Sequence, residues 1–351
     1  MTAGEVRLGF DTGPLEGYLA GVIDGFAPPL TLRQFSGGQS NPTYLLTDAA
    51  GTRHVLRRKP PGALLPSAHA IDREYRVMQA VAGQGVPVPQ MIALCDDRAV
   101  IGTEFYVMAH LDGRVLFDTG LPGMTPAQRR ATYEAVLGAL AAIHRVDTSA
   151  AGLADFGRPG GYLARQVRRW SDQYRASATA RIEAMERLSA WLPGAVARVP
   201  DETCLVHGDF RLDNVMLHPE RAEVIAVLDW ELSTLGHPLA DLGYFLMTWV
   251  FPGGLRYGMA DLDLGALGIP AMEAMVARYA ELTGRAGVEH LDLLLAYNIW
   301  RLAAILQGVY HRGLQGNAAS PEALGMGADV DRLATLAWHY AQRAGRDIKR
   351  A

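Results

Sequence analysis

From Leu30 to about Met108, short apolar runs rich in Val, Leu, Tyr and Phe are separated by Gly, Pro and Asp, the rhythm of antiparallel strands. One helix interrupts them. It is expected to begin near Ser67 and to run through Ala70, Glu74, Val77, Met78 and Val81 until Gly83 and Gly85 stop it. After Gly113 the pattern turns helical. Thr125 and Pro126 form a cap and first-turn pair, and Tyr133, Val136, Leu137, Leu140 and His144 mark one face of a long helix. Helical spacing returns around Tyr162 to Tyr174, Ile182 to Trp191, Met272 to Leu282, Leu291 to Tyr310 and Val330 to Arg346, with a short strand-like interlude between Cys204 and Leu228. There is no internal repeat and no linker long enough to separate independent domains. A mostly sheet segment followed by a mostly helical one predicts an α+β fold of two lobes.

Composition narrows the class. The chain has 351 residues, 49% hydrophobic and 20% charged, enough to bury a substantial core without metal or disulfide staples. A formal net charge of −4 gives no global attraction to nucleic acid or to an anionic membrane, so any anion recognition is local. Cys95 and Cys204 are too few for a disulfide framework and lack ligand spacing, so the expected location is a reducing cytoplasm. The N-terminus shows no basic segment followed by an apolar run, and the longest apolar stretch, Leu242 to Phe251, is too short to cross a bilayer. A soluble enzyme with no nucleic-acid or membrane partner is expected.

The most informative segment runs from Cys204 to Asp229, CLVHGDFRLDNVMLHPERAEVIAVLD. Asp209 and Asn214 have the D-x-x-x-x-N spacing of a kinase catalytic loop, in which the Asp accepts a hydroxyl proton and the Asn oxygen binds a metal. Asp229 ends the apolar run Val224 to Leu228, where a strand would deliver its carboxylate beside Asn214 as a second hard ligand for Mg²⁺. The alternative makes Asp209 and Asn214 turn residues and Asp229 a helix cap. Upstream, Phe35-Ser36-Gly37-Gly38-Gln39-Ser40-Asn41 is either a backbone cradle for phosphates or a Gly-Gly hairpin turn. Period two places Arg57 and Lys59 on one strand face, where either could reach nucleotide phosphates or simply protect a sheet edge, and Glu74 could pair with them.

With these residues in place, the chain resembles the aminoglycoside phosphotransferase and choline-kinase-like superfamily over most of its length. VHGDFRLDNVML is similar to that family's catalytic loop and VLDWE to its metal-binding segment. The resemblance implies a protein-kinase-like fold, with an antiparallel-sheet nucleotide lobe and hinge at 1–111 and a helical catalytic and substrate lobe at 112–351. It implies ATP and Mg²⁺ as cofactors, Asp209 as catalytic base, and Asn214 and Asp229 as metal ligands. In FYVMAHLDG, Met108 precedes the hinge, and the backbone of Ala109 and Leu111 would hold adenine. Three departures stand out: Arg57 where the family usually has a Lys, Gly208 in place of the HRD arginine, and Trp230-Glu231 in place of Phe-Gly. The segments RRKPPGALLPSAHAIDREYRVM, LDWELSTLGHPLADLGY and YNIWRLAAILQGVYHR further resemble the kinase-like domain associated with acyl-CoA dehydrogenases. That implies a functional link to such a dehydrogenase and a small-molecule acceptor of the hydroxyacyl-CoA or hydroxy-acid class.

A kinase for polycationic antibiotics needs an acidic acceptor cleft. Here Arg301, Gln307, Tyr310, His311 and Arg312 give the Tyr297 to Arg312 helix a basic tilt, continued by Arg343, Arg346, Lys349 and Arg350. This suits an anionic acceptor, or else a solvated helix end favoured by the macrodipole. Glu231, Arg301, Tyr310 and Arg312 are the candidate acceptor contacts. His144, His207 and His237 lack spaced metal partners and read as structural. Asp241 reads as a carboxylate ordering the catalytic loop, and Tyr244, Phe245 and Trp249 read as core. An aminoglycoside or amino-alcohol kinase and a non-catalytic ATP-binding regulatory module are the rival functions. A protein kinase is disfavoured by the absence of Phe-Gly and Ala-Pro-Glu signatures after Asp229.

Overall fold

A computed structural model describes residues 10–35, 41–60, 70–255, 257–317 and 321–347. The chain opens with α1 (Thr12–Val22), whose N-cap Asp11 accepts a hydrogen bond from the Gly13 amide at 3.1 Å. Strands β1 (Thr31–Gln34), β2 (Thr43–Thr47) and β3 (Arg53–Arg58) follow, then α2 (Ile71–Val81), β4 (Met91–Cys95), a single turn α3 (Arg98–Ile101) and β5 (Phe105–Ala109). They form one five-stranded antiparallel sheet in the order β1-β2-β3-β5-β4. Leu15 and Leu19, one turn apart on α1, pack with Tyr44, Leu46, Leu56, Phe105 and Val107 against one face of that sheet. On α2, Val77, Met78 and Val81 belong instead to the larger core shared with the helical body.

The remaining elements are β6 (Arg114–Val115), α4 (Pro126–His144), α5 (Tyr162–Ser177), α6 (Glu183–Val196), β7 (Cys204–Val206), β8 (Val215–Leu217), β9 (Val224–Val227), β10 (Thr234–Gly236), α7 (Pro238–Leu246), α8 (Leu264–Leu267), α9 (Met272–Thr283), α10 (Leu291–Leu314) and α11 (Met326–Asp347). The fold is α+β, two lobes, kinase-like. The Thr125 cap forms with an addition: Gln128 completes a capping box, its side chain accepting from the Thr125 amide at 2.8 Å. In the Cys204 to Leu228 interlude the hairpin is β8 with β9, while β7 pairs with β10. The polar loop 207–214 therefore joins two different sheets.

Several expectations need correction. The interrupting helix is described as Ile71–Val81, its expected start at Ser67 lying outside the described residues, and it is not alone, since α1 and α3 also belong to the sheet lobe. Among the described residues one helix, α10, is long and apolar enough to cross a membrane by length and composition, which the continuous stretch Leu242 to Phe251 did not flag. Its 18-residue window is 72% buried inside the protein, and Trp300, Tyr297 and Leu294 are wholly enclosed, as befits the central core helix it is here.

The lobes are tied together near the site. Arg73 of α2 donates to the Phe156 carbonyl at 2.6 Å and stacks 4.1 Å from the Phe156 ring centroid. The Val227 amide at the end of β9 donates to the Pro87 carbonyl at 2.8 Å.

Candidate active site

Asp209, Asn214 and Asp229 converge because β7, the 207–214 loop and the β8–β9 hairpin return the chain to one place. The Asn214 side-chain amide donates to the Asp209 carbonyl at 2.8 Å and to Asp209 Oδ2 at 3.1 Å, while the Leu228 amide donates to the Asn214 carbonyl at 2.8 Å. With Nδ2 committed to Asp209, Oδ1 is the Asn214 atom suited to a cation. Asp229 follows immediately with φ of +62°, a left-handed conformation that costs a non-glycine residue roughly 1–2 kcal/mol. The indole of Trp230, hydrogen-bonded to the Val227 carbonyl at 2.9 Å, helps hold that turn.

The loop is braced from behind by buried charge. Asp241, in the first turn of α7, accepts from the amides of His207 at 2.5 Å and Gly208 at 2.9 Å, and lies 3.5 Å from His144 Nε2. Burial pushes the Asp241 carboxyl up, but the hydrogen bond and charge of His144 and the His207 contacts bring it below its ordinary value. His207 bridges the loop to the next segment, accepting from the Asp209 amide at 3.3 Å on Nδ1 and meeting the Leu228 carbonyl at 2.9 Å on Nε2. Gly208 has φ of +85°, and a Cβ there would stand 2.6 Å from the Leu232 carbonyl oxygen. The side chain of an HRD arginine has no room at this position.

Across the lobe boundary Arg57 gathers carboxylates. Its guanidinium lies 3.0 Å from Glu74, 2.8 Å from Asp229 and 3.9 Å from Glu231. Glu74 is wholly buried and also accepts from Tyr106 at 3.1 Å and Asn41 at 2.9 Å. Burial pushes the Glu74 carboxyl up to about 7, with Asp229 and Glu231 acting in the same direction against Arg57. Burial also works against the charge on Arg57, yet Glu74 and the neighbouring acids hold its pKa above the ordinary value. Lys59 does not share this cluster. It lies one residue past the end of β3 and pairs with Glu104, so period two no longer governs its direction.

Ala109 ends β5, its amide donating to the Gln90 carbonyl at 2.9 Å, and half-buried Leu111 begins the crossing to β6. Gly113 packs so closely on Met216 and Ile225 that a Cβ would meet Met216 Cγ at 2.4 Å. Ser36, Gly37, Gly38 and Ser40 lie outside the described residues.

The C-lobe expectations fare differently. Arg301 is buried and donates to the Gly208 carbonyl at 2.9 Å, behind the loop rather than in front of it. Tyr310 packs its ring on Gly327 of α11, and Arg312 is exposed. None of Glu231, Arg301, Tyr310 and Arg312 lines the cavity that opens beside the catalytic loop. That cavity, about 450 Å³, has walls that are mostly apolar, including Phe210, Phe251, Leu302, Leu306 and Leu333. Among the described residues its charged lining is Arg211, Asp213, Glu322 and Asp329, and no basic residue of α10 lines it. Arg211 Nε sits 3.3 Å from Asp209 and 3.5 Å from Asp213, and the Tyr257 hydroxyl donates to Asp213 at 2.7 Å. Arg211 stands two residues after Asp209 in the motif itself, a signal the sequence offered. Tyr244 gave a fainter one, because its helical spacing with Phe245 and Trp249 hides a hydroxyl that donates to Asp209 Oδ1 at 2.6 Å.

A sheet lobe carrying an Arg–Glu pair over a helical lobe that presents an Asp and an Asn from one loop defines a kinase-like phosphotransferase fold. The chain belongs to the phosphotransferase enzyme family, whose model matches residues 31–291. It is 47% identical over 334 residues to acyl-CoA dehydrogenase family member 10 of Mus musculus, covering 94% of this chain and 31% of that protein. It is 45% identical over 319 residues to family member 11 of Gallus gallus, covering 89% of this chain and 41% of that protein. The chain thus spans less than half the length of these curated relatives. Among solved structures, a Ralstonia eutropha protein provisionally named an aminoglycoside phosphotransferase superimposes with a TM-score of 0.87 at 46% identity, covering 95% of this chain and 99% of that one.

Proposed function

We propose that this chain transfers the γ-phosphoryl group of ATP to a hydroxyl of a small-molecule acceptor. The observation that carries the reading is the convergence of Asp209, Asn214 and Asp229 beneath the Arg57–Glu74 pair. Asp209 orients the acceptor hydroxyl and takes its proton as the new O–P bond forms and the bond from the γ-phosphorus to ADP breaks. Arg57, 2.8 Å from Asp229, is a basic group on the sheet side of the site and screens phosphate charge. The backbone of Ala109 and Leu111 receives adenine, and Ser36, Gly37, Gly38 and Ser40, outside the described residues, keep the phosphate-contact role that the sequence implies. Lys59, engaged by Glu104, is the weaker phosphate candidate.

Mg²⁺ fits the donors present: a carboxylate on Asp229 and an amide oxygen on Asn214 are hard oxygen ligands, to be completed by phosphates and water. When bound, the ion neutralises charge on the phosphates.

For the acceptor, the apolar cavity favours a molecule with a hydrocarbon portion, such as a hydroxy acid or the acyl part of a hydroxyacyl-CoA, with Arg211 at the reacting end. The names of the curated relatives support a link to an acyl-CoA dehydrogenase. The rival, an aminoglycoside kinase, draws on the acids Asp213, Glu322 and Asp329, but Asp213 is engaged by Arg211 and Tyr257, and Asp329 lies 3.2 Å from Arg332. The unpaired state of Cys95 and Cys204 supports a reducing, cytoplasmic setting. The test is incubation with Mg²⁺-ATP and a panel of hydroxyacyl-CoAs, hydroxy acids and aminoglycosides, read by mass spectrometry. One added phosphoryl group on a hydroxyacyl acceptor is expected. Transfer to aminoglycosides alone, or to nothing, would refute the reading.

A further inference from the structure

The Asp209 carboxylate is not symmetric in its surroundings. Oδ1 accepts from the Tyr244 hydroxyl at 2.6 Å and lies 3.3 Å from Arg211 Nε, whereas Oδ2 accepts, among the described residues, from Asn214 alone, at 3.1 Å. Oδ1 thus holds a hydroxyl donor with a guanidinium beside it, while Oδ2 keeps a lone-pair direction for a further donor. Tyr244 also lines the apolar cavity beside the loop. Its ring is gripped from the other side: the Arg301 guanidinium lies 5.3 Å from the ring centroid and donates to the Gly208 carbonyl at 2.9 Å. Tyr244 of α7 and Arg301 of α10 therefore hold consecutive residues of one loop, Asp209 by its side chain and Gly208 by its backbone. Burial, and after it the nearby Asp209 charge, raises the Tyr244 phenol far above its ordinary pKa, so the hydroxyl stays a donor throughout.

We infer that Tyr244 is a positioning residue for phosphoryl transfer: it occupies Oδ1 of Asp209, leaves Oδ2 as the oxygen that receives the acceptor's proton, and sets that orientation from the wall of the acceptor cavity. The inference rests on the kinase reading above. In the step itself, the acceptor O–H donates to Oδ2, and its proton passes there as the acceptor oxygen bonds to the γ-phosphorus. The electron pair of the broken P–O bond leaves with ADP, Asp209 later gives the proton to solvent, and Tyr244 keeps its own proton. Because the ring belongs to the cavity wall while the hydroxyl belongs to Asp209, the two contributions separate by chemistry: phenylalanine keeps the wall and deletes the donor.

The experiment uses the full chain and an acceptor already shown to be phosphorylated by the wild type; failure to find one refutes the parent reading, not this one. Tyr244→Phe is expected to lower kcat by roughly 10–100-fold while KM for ATP stays within about twofold. In an Asp209→Asn background the same substitution should have almost no further effect, because the interaction it deletes is already altered. Replacing Tyr244 by 3-fluorotyrosine, which keeps both shape and donor, should retain activity well above the Phe variant and covers the case in which Tyr244→Phe fails to fold. Unchanged kcat in Tyr244→Phe, or an equal fold-loss in the wild-type and Asp209→Asn backgrounds, would overturn the assignment and return Tyr244 to a packing role.

Discussion

The two sides of the site are built by different means. On the helical side the 207–214 loop is fixed through its backbone: Asp241 takes the amides of His207 and Gly208, and Arg301 takes the Gly208 carbonyl. On the sheet side the polar groups are held through one another's charge, with Arg57 shared among Glu74, Asp229 and Glu231. Backbone pinning by buried groups fixes geometry before any ligand arrives, whereas a shared guanidinium can exchange one anion for another. The first arrangement suits a group that must meet a reacting atom in one orientation, the second a group that must receive phosphates.

If that contrast is right, breaking the pin costs more than loosening the charge cluster. Asp241→Asn should remove about 2–4 kcal/mol of stability, since a buried carboxylate taking two amide donors is lost, and should lower turnover by about a hundredfold. Thermal unfolding and steady-state kinetics check both; wild-type stability would show that the loop does not depend on α7. On the sheet side, Arg57→Ala should raise KM for ATP by roughly 10–100-fold, while Lys59→Ala changes it by less than about threefold. Nucleotide titration of the two variants decides the matter, and the reverse ranking would move the phosphate contact to Lys59.

The smallest effect is in pH. Because burial holds the Glu74 carboxyl up at about 7 while an ordinary glutamate has a value of 4.5, the folded state binds the extra proton between those values. Its contribution to stability is therefore present at the acid end and is lost as pH rises through that window. Glu74→Gln, which cannot titrate, should flatten that part of the stability profile, measurable by denaturant unfolding at pH 5 and pH 8; an unaltered slope would mean Arg57 keeps Glu74 ionised throughout.

The same contrast explains what could be read from sequence. Asp209, Asn214 and Asp229 were legible because their separation is local, a loop of fixed spacing and a hairpin that brings Asp229 back. The long helices were legible from apolar period, and the cap at Thr125 from its neighbours. Arg301 was misread because sequence shows which helix carries a charge but not which face meets the catalytic loop, a choice made by packing of α10 against α5 and α7. Lys59 was ambiguous because strand alternation stops at Arg58. The short helix α1, with Gly17 and Gly21 diluting its apolar spacing, left little periodic signal. The cavity beside the 207–214 loop was invisible for a simpler reason: Tyr133, Phe210, Tyr257, Leu306 and Leu333 come from five separate segments and meet only in the folded chain.

The most direct test of phosphoryl transfer through Asp209 is a single-turnover measurement with γ-labelled ATP and an unphosphorylated acceptor that the wild type converts, comparing wild type with Asp209→Asn. Transfer of label to the acceptor should slow by roughly a thousandfold in the variant, with nucleotide affinity within a few fold of wild type. Transfer at a near wild-type rate would contradict the role given to Asp209.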